Sequence, residues 1–164
     1  MNRLAVCAGS FDPLTNGHVA IIARGLRLFD RVHVAVSLNI RKQPMFTADE
    51  RVTMILAAFP NEPRLEVRGF QGLLATYARG LGAVAILKGI RGPSDLEYEV
   101  QMANMNRHLE PDLDTVFVAA DADRSFVSSS LVKEVAMLGG DVSALVPTHV
   151  LEALTKRIGA RSGA

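Results

Sequence analysis

The sequence predicts a single α/β domain, built as a doubly wound parallel sheet of five strands flanked by helices. Three observations predict it. Short apolar runs alternate with amphipathic segments along the chain, the pattern of βαβ units with right-handed crossovers. Hydrophobic residues make up 49 % and charged residues 21 %, with mean hydropathy +0.20, which suits a sheet covered on both faces. The 164 residues fit one domain, and no Pro-, Gly- or Ser-rich linker, repeat or low-complexity stretch divides them. The domain is expected over residues 1–158, with residues 159–164 as a flexible tail.

Each element has its own local reason. Leu4–Ala8 is a short buried-strand pattern. Gly17–Leu28 places Val19, Ile22, Ala23 and Leu26 on one helical stripe. Val32–Leu38 reads as the second strand. Thr47-Ala-Asp-Glu50 is a capping box, followed by Val52, Ile55, Leu56 and Phe59 at helical spacing, and Pro60 ends that helix. Arg64–Val67 is a weak strand, Leu73–Leu81 a helix ending near Gly82, and Val84–Lys88 a strand. Ser94-Asp-Leu-Glu97 reads as a second capping box, opening a long helix to about His108. Thr115–Ala119 is the fifth strand. Ser128–Leu138 is a helix closed by Gly139-Gly140, and Thr148–Ile158 is the last helix.

Composition excludes several functions. Lys and Arg number 18 against 17 Asp and Glu, so the net charge is +1 and no basic excess exists to hold a nucleic-acid backbone. One cysteine, Cys7, rules out a disulfide framework, a redox CxxC and a zinc ribbon. The four histidines (His18, His33, His108 and His149) show no HExxH spacing, and no metal-ligating set is expected. No apolar run reaches the ~18–20 residues that cross a bilayer, and Leu4–Ala8 is too short for a signal sequence. The expectation is a soluble, cytoplasmic protein that engages neither membrane nor nucleic acid.

In an open parallel sheet, ligands bind beyond the carboxyl ends of the strands. Four donor-rich turns fall there. Gly9-Ser-Phe-Asp-Pro-Leu-Thr-Asn-Gly-His18 joins the first strand to the first helix. Gly9 lets the backbone approach a ligand, Asp12-Pro13 forces a turn, Thr15 or Asn16 can cap the helix, and His18 lies in its first turn. A helix start favours anions, and an imidazole there can donate to a phosphate oxygen; an ordinary βα turn with an exposed histidine reads the same locally. Phe126-Val-Ser-Ser-Ser-Leu-Val-Lys133 offers three serines where capping needs one. Leu87-Lys-Gly-Ile-Arg91 sets two cations around a glycine, and Arg41-Lys-Gln-Pro44 adds basic residues after the second strand. Either pair could be merely solvated. Taken together, the four turns describe a cleft for phosphates without an activated nucleophile. That combination suits phosphoryl or nucleotidyl transfer, in which the substrate supplies the attacking atom.

These residues closely resemble the phosphopantetheine adenylyltransferase family of bacteria, in the nucleotidyltransferase superfamily marked by an HxGH-type turn. The motif stands here as Thr15-Asn-Gly-His18, and Val127-Ser-Ser-Ser-Leu-Val-Lys133 matches the second signature. Pro44-Met-Phe46, Asp49-Glu-Arg51, Glu97-Tyr-Glu99, Met105-Asn-Arg-His108 and Gly140-Asp-Val142 also fit, so the resemblance spans about residues 3–157. It implies a Rossmann-like fold and a homohexamer. It also implies magnesium-dependent, reversible transfer of an adenylyl group from ATP to 4′-phosphopantetheine, giving dephospho-coenzyme A and pyrophosphate in coenzyme A biosynthesis.

Carried over by position, the resemblance makes His18 the transition-state stabiliser, with Lys42 and Lys88 offsetting charge on the reacting phosphates. Ser10, Lys42, Leu74 and Lys88 would bind the acceptor, Leu74 against the pantetheine arm. Ser10, Phe11, His18, Gly89, Ile90, Arg91, Glu99, Arg124, Ser125, Phe126, Val127, Ser128, Ser129 and Ser130 would bind ATP. Four positions depart from the family's frequent residues: Ser10 for Thr, Lys88 for Arg, Leu74 for Met and Ala8 for Pro. Lys88 thereby offers a point charge in place of a bidentate fork. The alternatives within the same chemistry are a small cytidylyltransferase or a nicotinamide-mononucleotide adenylyltransferase.

Overall fold

The computed structural model describes residues 3–38 and 43–162. The elements alternate in the expected order: β1 (Leu4–Gly9), α1 (Asn16–Leu28), β2 (Arg31–Ser37), α2 (Ala48–Ala58), β3 (Leu65–Phe70), α3 (Leu74–Gly80), β4 (Ala85–Ile90), α4 (Pro93–Leu109), β5 (Asp114–Ala119), α5 (Ser129–Met137) and α6 (Thr148–Ser162). A short 3-10 turn, Ala122–Arg124, precedes α5. All strands are parallel, in the order β3-β2-β1-β4-β5. Strand order therefore reverses between β1 and β4, where an open α/β sheet forms its crevice.

The opening has a visible cause. The β1–β4 ladder holds two residue pairs, Ala5–Ala85 and Val6–Ile86, although the strands continue to Gly9 and Ile90. The β1–β2 ladder, by contrast, runs without a break from Leu4–Arg31 to Gly9–Val36. Beyond Val6 and Ile86 the two central strands part.

Side-chain alternation divides the core between the two faces. Cys7, Val32, Val34, Val36 and Leu87 join Ile22 and Leu26 of α1, Ile55 of α2, Val132 of α5 and Leu154 of α6. Val6, Ala35 and Ile86 point the other way, against Ala75 and Ala78 of α3. Each of the large side chains among these contributes about 1.5–3 kcal/mol when fully buried. Gly25 lets α1 lie close to the sheet, since a Cβ there would stand 2.5 Å from Cδ2 of Leu87. His33, fully buried on β2, is satisfied by Glu66 at 3.3 Å and the Tyr77 hydroxyl at 2.8 Å.

Four local expectations change. The third strand starts at Leu65 and runs on to Phe70, because pairing with β2 carries Arg68 and Gly69 into the ladder. Gly89 and Ile90 belong to β4 itself, paired with Val118 and Ala119, and do not form a turn after it. The 94–97 capping box does not form. Pro93 starts α4 two residues earlier than that box would, where its fixed φ suits the first helical position, and Gly92 caps without a side-chain hydrogen bond. The last helix passes the expected end at Ile158 and reaches Ser162.

Candidate active site

A cleft of about 390 Å³ opens where β1 and β4 part. Its lining joins the β1–α1 turn, the ends of β2 and β4, one side of α4 and the start of α5. Of the predicted residues, Ser10, Phe11, His18, Lys88, Gly89, Arg91, Glu99, Arg124, Val127, Ser128, Ser129 and Ser130 all line it. Ile90, Ser125, Phe126 and Leu74 do not line it. Leu74 packs instead with the α3-side core around Val6 and Ala35. Lys42, with Arg41 beside it, lies outside the described residues.

The β1–α1 turn is fixed by its own chemistry. Thr15 caps α1, and its Oγ1 accepts from the His18 amide at 3.3 Å. In return, the Thr15 amide donates to Nδ1 of His18 at 3.1 Å. This is a capping box in which an imidazole takes the place usually held by Glu or Gln. An accepting Nδ1 carries no proton, so the neutral ring keeps its proton on Nε2. Burial first, then the charge of Arg91, pushes the His18 pKa down to about 4. In the free cleft the ring is therefore a neutral donor. Phe11 packs edge-on against it, ring centroids 5.0 Å apart, from a left-handed backbone with φ 49°. The space expected beside Gly9 for a ligand is filled by that same Phe11 ring, 3.2 Å from where a Cβ would stand. Likewise Gly89 admits Ile21 of α1, whose Cγ1 would be 2.8 Å from an added Cβ.

Three charged contacts that sequence reasoning missed hold the cleft in shape. Asp12 is buried, and its carboxylate accepts from the amides of Met45 (3.0 Å) and Phe46 (2.9 Å) and from Nζ of Lys133 (2.7 Å). It thus ties the β1–α1 turn to the segment before α2 and to α5. Arg51, also buried, donates to the carbonyls of Ser10 (2.7 Å) and Ser37 (3.0 Å), joining the ends of β1 and β2. Asp95 grips Arg91 from α4, through Nε at 2.7 Å and Nη2 at 3.1 Å. That guanidinium holds the Asp95 carboxyl below the usual carboxylate range. Lys133 carried one signal: it follows Ser129 and Ser130 by about one helical turn, on their face of α5. Asp12 and Arg51 meet partners too distant in sequence for any local pattern to mark them.

The remaining groups face the cleft with different freedom. Lys88 sits 3.3 and 3.2 Å from the two carboxylate oxygens of Glu99. Ser128 caps α5 by accepting from the Leu131 amide at 3.1 Å, and Ser129 donates to the Pro13 carbonyl at 2.8 Å. Ser130 remains exposed. Two of the three serines are thus at least partly structural. Cys7 also borders the cleft, but burial pushes its thiol up to about 11, which makes it a poor nucleophile at neutral pH. Among the described residues no three His, Cys, Asp or Glu side chains group to hold a metal. The cleft acids Asp12, Asp95 and Glu99 are each engaged by a cation.

Comparison with known proteins places this architecture. Residues 6–135 match the cytidylyltransferase-like family model. The chain is 56 % identical over 159 residues to a phosphopantetheine adenylyltransferase of Anaeromyxobacter sp. (strain K), covering 97 % of each chain. It is 50 % identical to that of Thioalkalivibrio sulfidiphilus, covering 97 % of this chain and all of the other. It is 53 % identical over 150 residues to that of Synechococcus elongatus, covering 92 % and 90 %. A solved structure from Vibrio parahaemolyticus, provisionally assigned as a nicotinate-nucleotide adenylyltransferase, superposes with TM-score 0.67 at 17 % identity, covering 96 % of this chain and 95 % of that one. That last likeness speaks for the fold alone. The extent and level of identity to the first three decide the matter, and the chain belongs to the phosphopantetheine adenylyltransferase family of nucleotidyltransferases.

Proposed function

We propose that the protein transfers the adenylyl group of ATP to 4′-phosphopantetheine, releasing pyrophosphate and forming dephospho-coenzyme A. Family membership supports the acceptor. The observation that carries the chemistry is the neutral His18 ring, fixed by Thr15 as an Nε2 donor in a cleft that also holds Lys88, Arg91 and the α5 helix start. The attacking atom is an oxygen of the acceptor's phosphate monoester, whose second pKa is about 6, so it needs no general base. Repulsion between that dianion and the triphosphate is the main obstacle. Lys88 and the helix-start amides screen it, and His18 donates to the α-phosphate as that phosphate becomes five-coordinate. Lys42 would add a second cation, and Ser10 and Leu74 would complete the acceptor contacts. Gly89, Ile90, Arg91, Glu99 and the 124–130 segment would hold ATP.

The described residues do not fit a resident magnesium ion, because the cleft acids are already paired. Mg²⁺ is read as arriving on the phosphates of ATP, with water completing its shell. A homohexamer is part of this reading, and the surface of α4 supports self-association. That helix buries Asn106 alone, while Tyr98 is 62 % and Met105 54 % exposed, beside Leu96, Val100 and Leu109. An apolar surface of that extent on one helix favours contact with further copies of the chain. A cytoplasmic setting agrees with a coenzyme-precursor substrate; among the described residues, no helix is long and apolar enough to cross a membrane.

The test is pyrophosphate release from ATP against a panel of acceptors. Turnover is expected with 4′-phosphopantetheine and not with unphosphorylated pantetheine. Preference for nicotinate or nicotinamide mononucleotide, or for CTP over ATP, would overturn the assignment.

A further inference from the structure

Two carboxylates one helical turn apart on α4, Asp95 and Glu99, face the two cations at the end of β4, and they hold them differently. The ammonium of Lys88 donates to Oε1 of Glu99 at 3.3 Å and lies 3.2 Å from Oε2 as an ion pair only, so Oε2 has no hydrogen-bond partner. Lys88 can swing onto an arriving phosphate while giving up only that contact. Arg91 is committed. Its Nε and Nη2 donate to the two Asp95 oxygens at 2.7 and 3.1 Å, its own amide donates to Oδ2 at 3.3 Å, and Nη1 donates to the Val127 carbonyl at 3.2 Å. Three of five guanidinium protons are thus engaged within the protein. Val127 is buried and immediately precedes the residue that caps α5.

We propose that Asp95 is a positioning residue for the nucleotide: it locks Arg91 as a strut between the β4–α4 turn and Val127, and so sets the serine-bearing start of α5 where it meets ATP. A carboxylate is needed because only a bidentate partner fixes the plane of the guanidinium, and with it the direction of Nη1. Lys88 is left as the cation that moves with substrate. The inference rests on the adenylyl-transfer reading, since ATP is what the turn is set to receive.

ATP affinity is measured by titration calorimetry without acceptor, beside steady-state kinetics for both substrates and a thermal melt. The proteins are the parent, Asp95→Asn, Arg91→Lys and the double variant. Asp95→Asn is expected to weaken ATP binding about tenfold, as residues sharing one hydrogen-bonded network do, with the acceptor KM within about two-fold. Tm should stay within about 3 °C, because the pair is partly exposed. The double variant should bind ATP no more weakly than Arg91→Lys. Unchanged ATP affinity in Asp95→Asn, equal rises in both KM values, or additive losses in the double variant would each overturn the strut. A parent that binds ATP yet releases no pyrophosphate with 4′-phosphopantetheine overturns the reaction; the titration arm then decides the strut by itself.

Discussion

The amide of Thr15 donates to Nδ1 of His18 at 3.1 Å, so the residue that caps α1 also chooses the tautomer of the ring at the centre of the cleft. One hydrogen bond serves the helix and the chemistry together. The imidazole closes the capping box, and its remaining nitrogen is left as a donor for an anion.

Replacing His18 should therefore separate two effects. His18→Ala is expected to lower kcat about 10²–10³-fold, the usual loss for one donor to a developing charge. It should lower stability by about 1 kcal/mol through the broken cap. Single-turnover kinetics beside a urea melt reads both. A kcat within a few-fold of the parent would remove His18 from the transition state.

The same ring predicts a pH response. Its pKa in the folded chain is about 4, against an ordinary 6.5, so the unfolded chain takes up the proton first as pH falls. The contribution of His18 to stability is complete above pH 6.5 and is lost progressively as pH drops towards 4. Turnover should show no limb from His18 between pH 6 and 8. Ring nitrogen chemical shifts followed from pH 8 to 4 check this; an inflection near 6.5 would contradict it.

Lys88→Ala is expected to lower kcat/KM for the acceptor about 10- to 100-fold, as losing a hydrogen bond of ~1.5–3 kcal/mol to a charged group implies. The loss should appear in both KM and kcat, because the substitution also leaves the Glu99 carboxylate facing incoming phosphate. Lys88→Arg, which restores the residue frequent in the family, should retain most activity. Acceptor kinetics unchanged in Lys88→Ala would exclude the screening role.

How much of this could be read from the sequence depended on how local the cause was. Thr47 with Glu50 formed the expected capping box, and the alternation of apolar runs gave all five strands. The 94–97 box failed because Pro93 supplied a better start, with the cap two residues earlier at Gly92. Most of the cleft lining was legible because its residues cluster at or beyond strand ends. Asp12 with Lys133 was not, since the pair spans 121 positions and leaves no periodic trace. Leu74, assigned from resemblance, is half-buried and packs against the α3-side core, outside the cleft lining.

Gly89→Ala should act on α1 across the sheet. The added Cβ would stand 2.8 Å from Cγ1 of Ile21, one turn after His18, and overpacking of this kind costs about 1–3 kcal/mol. Activity should fall with stability, because Ile21 and His18 move with one helix. Ile21→Ala should cost less in the Gly89→Ala background than in the parent. A double-mutant cycle by denaturant melts tests this; strictly additive costs would disprove the contact.

Lys133→Met should destabilise the fold by about 1–3 kcal/mol, since it leaves the buried Asp12 carboxylate with only the Met45 and Phe46 amides. Lys133→Arg should recover much of that loss. An unchanged denaturation midpoint in Lys133→Met would show that the pair contributes nothing to folding.

The early parting of β1 and β4 has a consequence for inhibition and resistance. Past Val6 and Ile86, peptide groups that a continued ladder would pair together border the crevice instead, flanked by residues as small as Ala8, Gly9 and Gly89. A side-chain scan does not read such a surface, since exchanging a side chain leaves the peptide groups in place. A compound that hydrogen-bonds to those peptide groups would engage atoms that every substitution except proline preserves. Escape would then require bulk at Gly9 or Gly89, where Phe11 and Ile21 already occupy the space.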